Sequence, residues 1–223
     1  CGCGGLSHGF IEAGYEVVAG IDHWQDALDT FAFNHIKSKA IKADLFNVSP
    51  EQIAEQIDNK EIDVIIGGPP CQGFSIAGKR LIDDERNQLY KSFVEFVSYF
   101  KPKAFIMENV PNIISMGKGA VKDEIIEDFT NLGYTVTYKI LLASEYGVPQ
   151  NRRRAFFVGL KNGQTFDFPL PTTKDFVTCE QAISDLPDET IEDGEIYPVE
   201  AQSEYQRLMR VGSTVLHNHQ ATI

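Results

Sequence analysis

Cys71 stands in the string Gly67-Gly68-Pro69-Pro70-Cys71-Gln72-Gly73-Phe74-Ser75. Prolines stiffen such a turn and glycines free the backbone around the thiol. A structural cysteine would sit inside an apolar run instead. Cys71 is therefore the candidate nucleophile, and because the thiolate is the reactive form, surroundings that favour the anion are expected. A second group opens with the turn Gly2-Cys3-Gly4-Gly5 ahead of a helical pattern, where backbone can approach a ligand closely. Asp22 ends the next apolar run, where an acid can accept both ribose hydroxyls of a nucleoside, and Asp44 ends the run after it. Each acid alone would pass as a helix cap. Three such features at successive strand ends converge on one sheet edge and point to an adenosyl-bearing cofactor. Glu108-Asn109-Val110-Pro111 ends a further apolar run. Gln150-Asn151-Arg152-Arg153-Arg154 precedes another and follows Gly147-Val148-Pro149.

The elements that must position these residues alternate. Short apolar runs at Glu16–Ile21, Ala40–Leu45, Asp63–Ile66, Ala104–Met107, Thr135–Leu142 and Ala155–Leu160 suit strands buried on both faces. Between them Leu89, Phe93, Phe96 and Phe100 recur at helical steps, as do Val121, Ile125, Phe129 and Leu132, with Gly133 placed as a C-cap. Leu6, Phe10 and Ala13 make a shorter helix. The alternation predicts an α/β fold with a doubly wound, mostly parallel sheet whose ligands lie beyond the strands' carboxyl ends. After about Lys161, prolines and acids accumulate and periodicity is lost. Residues 1–160 thus form the predicted catalytic domain, and 161–223 an irregular connection.

The chain has 223 residues, 43% hydrophobic and 23% charged, which suits one soluble globular α/β domain, with two small ones as the alternative. It holds no run of eighteen apolar residues, so no membrane span is expected, and no signal peptide is visible. Cys1, Cys3, Cys71 and Cys179 match no zinc signature, so no metal is expected. Reduced, intracellular thiols follow from so few cysteines in so long a chain. The net charge of -12 argues against nucleic acid. It speaks to long-range steering, however, and a site can be locally positive on an acidic protein.

Over nearly all of residues 1–160 the chain resembles the DNA cytosine-C5 methyltransferases, which have a Rossmann-like, S-adenosylmethionine-dependent fold. The Pro-Pro-Cys-Gln string, Arg86-Asn87-Gln88-Leu89, Glu108-Asn109-Val110 and the Gln150–Arg154 run carry the resemblance. It implies that Cys71, Glu108, Arg152 and Arg154 serve catalysis. It places Gly2, Cys3, Gly4, Gly5, Asp22, His23, Asp44, Leu45, Pro69 and Leu89 at S-adenosylmethionine. In the implied reaction the Cys71 thiolate adds to cytosine C6 and makes C5 nucleophilic. Glu108 meets the base at N3 and the amino group, with Arg154 beside both. Arg152 braces the catalytic loop against phosphate, and Ser75, Lys79 and Arg80 are candidates for further backbone contacts. The target base must leave the stack of double-stranded DNA. A partner restriction endonuclease, a monomeric state and the bacterial cytoplasm are the accompanying expectations.

The chain departs from the family pattern at both ends. The strand before Gly2 and the late elements, including target recognition, have no counterpart, and His217-Asn218-His219 resembles the transition toward them. Weak DNA binding by these residues alone, without methylation, is therefore expected. A tRNA-methylating branch is the first alternative, but its Cys-Phe-Thr string after Glu-Asn-Val is lacking. A non-catalytic methyltransferase-like module would be expected to have lost Cys71, Glu108 or an arginine. A nicotinamide dehydrogenase leaves the Pro-Pro-Cys string unexplained.

Overall fold

The computed structural model describes residues 1–70, 88–189 and 191–217. Among these residues six strands form two sheets. β1 (Ala19–Asp22) and β2 (Lys39–Lys42) pair in parallel, with Asp22 opposite Lys42. The second sheet has the order β3-β4-β6-β5. Its β3 (Val64–Gly67) and β4 (Ala104–Asn109) are parallel, and β6 (Arg153–Lys161) runs antiparallel to β4. β5 (Tyr134–Leu142) lies outside β6. The predicted α/β alternation is present, with β6 antiparallel to β4 and with the described strands divided between two sheets.

Connections explain the strand directions. Helix α2 (Gln25–Asn34) joins β1 to β2, and α4 (Gln88–Phe100) lies between β3 and β4. Parallel neighbours need such crossovers. Helix α1 (Gly5–Glu12) precedes β1, and α3 (Pro50–Gln56) starts in a capping box between Ser49 and Gln52, with proline at its first turn. Helix α5 (Ala120–Asn131) buries Val121, Ile125 and Phe129, spaced by four, on one face. It stops as expected, with Gly133 in the left-handed region at φ 87°.

Two hydrophobic clusters fix these elements. The larger joins Phe93 and Val97 of α4 to Phe105 and Met107 of β4, Phe129 of α5 and Phe157 of β6. The Phe105 and Phe129 rings stack with centroids 4.0 Å apart. The smaller gathers Ile41, Ile53 and Ile57 around Phe96. One helix thus feeds both clusters, using Phe93 and Val97 on one side and Phe96 on the other.

The chain divides into two compact units, Cys1–Ile140 with Arg154–Phe168, and Leu141–Arg153 with Pro169–Ile223. The first contains both clusters. The second has more order than its composition announced. Helices α6 (Cys179–Ile183) and α7 (Glu204–Met209) each begin in a capping box, Thr178 with Gln181 and Ser203 with Gln206. Arg210 closes on the buried Asp185 at 2.6 Å and lies over the Tyr197 ring at 4.0 Å.

Candidate active site

The parallel ladder of β3 and β4 ends at Gly67 opposite Met107, and β4 runs on through Glu108 and Asn109. After β3, Pro69 and Pro70 follow, and neither has an N–H with which to continue the ladder. A side chain takes over. The Asn109 Nδ2 amide donates to the Pro69 carbonyl at 2.8 Å, and Asn109 Oδ1 accepts from the Val110 amide at 2.8 Å. Asn109 is 5% exposed. The neighbouring Glu108 carboxylate lies against Gly68, where an added Cβ would stand 3.1 Å from Oε2.

Arg154 enters from β6. Its Nε is 2.8 Å from Glu108 Oε1, and both side chains are about a quarter exposed, at 26% and 27%. Glu108 is opposite Phe156 in the antiparallel register. Arg154, two residues before Phe156, therefore shares that face and reaches the carboxylate on the diagonal. The candidate nucleophile Cys71 lies outside the described residues, as do Gln72, Ser75, Lys79, Arg80, Arg86, Asn87 and Asn218 to Ile223. Pro70, the residue before Cys71, is described. Arg152 belongs to the second unit and is exposed; its N–H donates to the Gln150 carbonyl at 2.8 Å and its carbonyl accepts from the Ala143 amide at 2.9 Å.

The glycine turn and Asp22 come together directly. Asp22 Oδ2 accepts from the Cys1 amino group at 2.9 Å and the Gly2 amide at 2.8 Å, and Oδ1 accepts from the Trp24 amide at 3.1 Å. Burial works against the charge, but the Cys1 amino group and the amides of Gly2 and Trp24 outweigh it. They hold this carboxyl well below the usual aspartate range. Gly4 is the residue before α1, at φ 90°, and an added Cβ would collide with the His35 ring at 2.3 Å. Gly2 and Gly5 have nothing within 4 Å of that position, so the turn is open on one side. His23 is exposed beside Asp22, with Nδ1 3.5 Å from Oδ1. Cys3 is also exposed.

These residues suit an adenosyl group. Oδ2 already carries two donors, whereas Oδ1 carries one amide hydrogen bond and keeps room for a hydroxyl donor. The open backbone of Gly2 and Gly5 allows close approach. Asp44 is engaged locally, accepting from the Phe46 amide at 3.0 Å and from Asn47 Nδ2 at 2.9 Å. That is a turn-forming role. The Leu45 carbonyl accepts from Ser92 Oγ at 2.8 Å. Leu89 is half-buried in the first turn of α4.

Helix α4 borders both groups of residues. Ser92 holds the carbonyl after Asp44, and the adjacent Phe93 packs on Gly67, where an added Cβ would lie 2.8 Å from the ring. Neither Ser92 nor His35 stood out in the sequence, since a lone serine and a lone histidine carry no local signal. The Glu-Asn-Val string did mark Asn109, though without its partner.

The family model for C-5 cytosine-specific DNA methylases matches residues 1–221. The chain belongs to the C-5 cytosine-specific DNA methylases. Within this family it is 45% identical over 232 residues to the type II methyltransferase M.DdeI of Desulfomicrobium norvegicum, covering 99% of this chain and 55% of the relative. It is 39% identical to the type II methyltransferase M.AgeI of Thalassovita gelatinovora, covering 99% of this chain and 58% of that one. The chain thus spans a little over half the length of these curated relatives. A solved E. coli prophage protein, described as a candidate DNA modification methyltransferase, shares 35% identity and a TM-score of 0.71, over 90% of this chain and 57% of its own. The chain has no helix among its described residues long and apolar enough to cross a membrane.

Proposed function

We propose that the protein transfers a methyl group from S-adenosylmethionine to C5 of cytosine in double-stranded DNA, as the modification enzyme of a restriction system. The pairing of Glu108 with Arg154 beside the Pro69-Pro70 segment carries this reading. The segment leads by sequence into Cys71 and lies against an acid that can hydrogen-bond a pyrimidine edge. Family membership supports it, since the relatives are type II methyltransferases.

The Cys71 thiolate adds to C6 of an extruded cytosine, forming a C–S bond and moving electron density to C5. Bound S-adenosylmethionine supplies an electrophilic methyl group on a sulfonium sulfur. C5 would take that methyl as the S–CH3 bond breaks and the donor sulfur is left as a neutral thioether; the C5 proton would then leave to a solvent base, and elimination of the Cys71 sulfur from C6 would restore the ring and the thiolate. Glu108 orients the base through N3 and the amino group, and Arg154 holds Glu108 from the far side. Asp22 receives ribose hydroxyls, the turn Gly2 to Gly5 with Cys3 and His23 lines the cofactor, and Asp44, Leu45, Pro69 and Leu89 complete its surroundings. Arg152 steadies the loop against a DNA phosphate. Residues 1–160 carry the chemistry, while 161–223 lead toward target recognition. The protein acts as a monomer in the bacterial cytoplasm beside a partner endonuclease.

The test uses the full-length protein and duplex DNA in which 5-fluorocytosine replaces cytosine. Fluorine blocks proton loss, so a covalent complex accumulates in the presence of cofactor. Cys71→Ser is expected to abolish it, and trapping that persists in this variant places the nucleophile elsewhere.

A further inference from the structure

We infer that Ser92 is a positioning residue for the adenosine end of the cofactor. Its hydroxyl holds the turn that carries Asp44 and Leu45 against helix α4. This rests on the use of S-adenosylmethionine proposed above. Ser92 is 7% exposed, and its Oγ donates to the Leu45 carbonyl at 2.8 Å, across 47 residues of sequence. A serine within a helix commonly donates to a carbonyl of its own preceding turn. Here the hydroxyl reaches to another element instead.

The rest of the turn shows what this bond adds. Pairing of β1 with β2 continues one bond past the end of β2, from the Ala43 amide to the Asp22 carbonyl at 3.0 Å. Beyond it the chain closes on itself. Asp44 takes the Phe46 amide and Asn47 Nδ2 on its side chain, and its carbonyl accepts from the Asn47 amide at 2.9 Å. Such bonds set the shape of a turn, not its placement on the fold. The Leu45 side chain packs at the margin of the smaller cluster, but apolar burial is non-directional. The Ser92 hydrogen bond is directional, so it fixes the angle at which the turn is presented. Ser92 also lies three residues after Leu89, hence on the same side of α4. The helix residue proposed to meet the cofactor and the residue that grips the turn thus share one face. A site held in its bound geometry beforehand loses less on binding.

The experiment compares full-length wild type with Ser92→Ala, which lacks the donor, and Ser92→Thr, which keeps it. The dissociation constant of labelled S-adenosylmethionine is read first, then the inhibition constant of adenosine as its competitor. The single-turnover rate of methyl transfer to random-sequence duplex DNA at saturating cofactor and the melting temperature complete the set. Ser92→Ala is expected to weaken S-adenosylmethionine and adenosine equally, by about tenfold, the scale of one hydrogen bond. Its rate at saturating cofactor should stay within about threefold, because Ser92 lies against the turn and not against the reacting groups. Its melting temperature should stay within about 4 °C of wild type. Ser92→Thr should bind the cofactor within about threefold of wild type. Wild-type affinity in Ser92→Ala overturns the inference, as does weakened S-adenosylmethionine with adenosine unaffected. So does a Ser92→Thr variant that folds but binds as weakly as Ser92→Ala. A rate at saturating cofactor that falls as far as the affinity, or loss of the fold in Ser92→Ala, also overturns it, because the hydroxyl would then be structural. A wild type that retains no S-adenosylmethionine overturns the cofactor reading itself, and the inference with it.

Discussion

Arg154 Nε stands 2.8 Å from Glu108 Oε1, one residue contributed by β6 and the other by the antiparallel β4. The pair ties the acid to a strand other than its own. Glu108→Gln keeps the shape and removes the charge, so methylation by the full-length protein is expected to slow by about 10²–10⁴-fold, the usual worth of a positioned acid or base. DNA binding should persist. Arg154→Lys replaces a planar fork by a point charge, and a loss of roughly 10- to 100-fold is expected. Single-turnover transfer of labelled methyl checks both, and an unchanged rate for Glu108→Gln removes this acid from the mechanism.

Asp22 gives a pH signature in this chain. Its folded-state pKa lies below that of an unfolded aspartate, about 3.9. Its stabilising contribution is therefore complete above pH ~4 and is lost only as the pH falls through the depressed folded value. Melting curves of wild type and Asp22→Asn should differ by the same margin at neutral pH and at pH ~5, and converge only under strongly acid conditions. A gap that closes between pH 7 and 5 contradicts the assignment. The same substitution is expected to weaken retention of labelled S-adenosylmethionine by the full-length protein.

Two glycines should respond differently to alanine. At Gly68 the new methyl meets the end of the Glu108 side chain at 3.1 Å. That carboxylate can shift, so Gly68→Ala should fold with a change of about 1 kcal/mol or less while activity falls. At Gly4 the methyl meets the His35 ring at 2.3 Å in a backbone with φ 90°. His35 is buried and stacked on Phe31, with ring centroids 4.3 Å apart. Gly4→Ala is therefore expected to cost about 1–3 kcal/mol from overpacking, with backbone strain in addition. Chemical denaturation of both variants, alongside methylation of DNA, distinguishes the two outcomes.

The second unit has its own weak point. Asp185 is 3% exposed and accepts from Arg210 Nε at 2.9 Å as well as from its terminal nitrogen. Asp185→Ala leaves the guanidinium without this partner, and a loss of about 3–5 kcal/mol is expected, confined to that unit. Hydrogen exchange localised to residues 179–216 reads it out. Exchange that rises equally across the first unit refutes the confinement.

Much of this was legible from residue order, for a physical reason. The apolar alternation ending in Glu108-Asn109 announces β4 and its edge, and Gly133 announces the stop of α5, because these signals are local. The Pro69-Pro70 pair likewise declares the end of the β3 ladder, since neither residue has an N–H to continue it. Hidden from the sequence were contacts set by the path of the chain through space. His35 sits beneath Gly4, Ser92 reaches the Leu45 carbonyl, and Asp22 takes the Gly2 and Trp24 amides. Asp44 shows the limit most plainly. Its place at a strand end was readable, whereas the turn it ties with Phe46 and Asn47 depends on where the chain goes next.

Helix α4 places Ser92 on the Leu45 carbonyl and Phe93 on the backbone of Gly67. A roll of this one rod about its axis would move the berth proposed for the methyl donor and the berth proposed for the acceptor together. The two are thus gauged against a common spindle. Engineering that reshapes one berth by repacking α4 will detune the other unless a compensating change is made on the same turn.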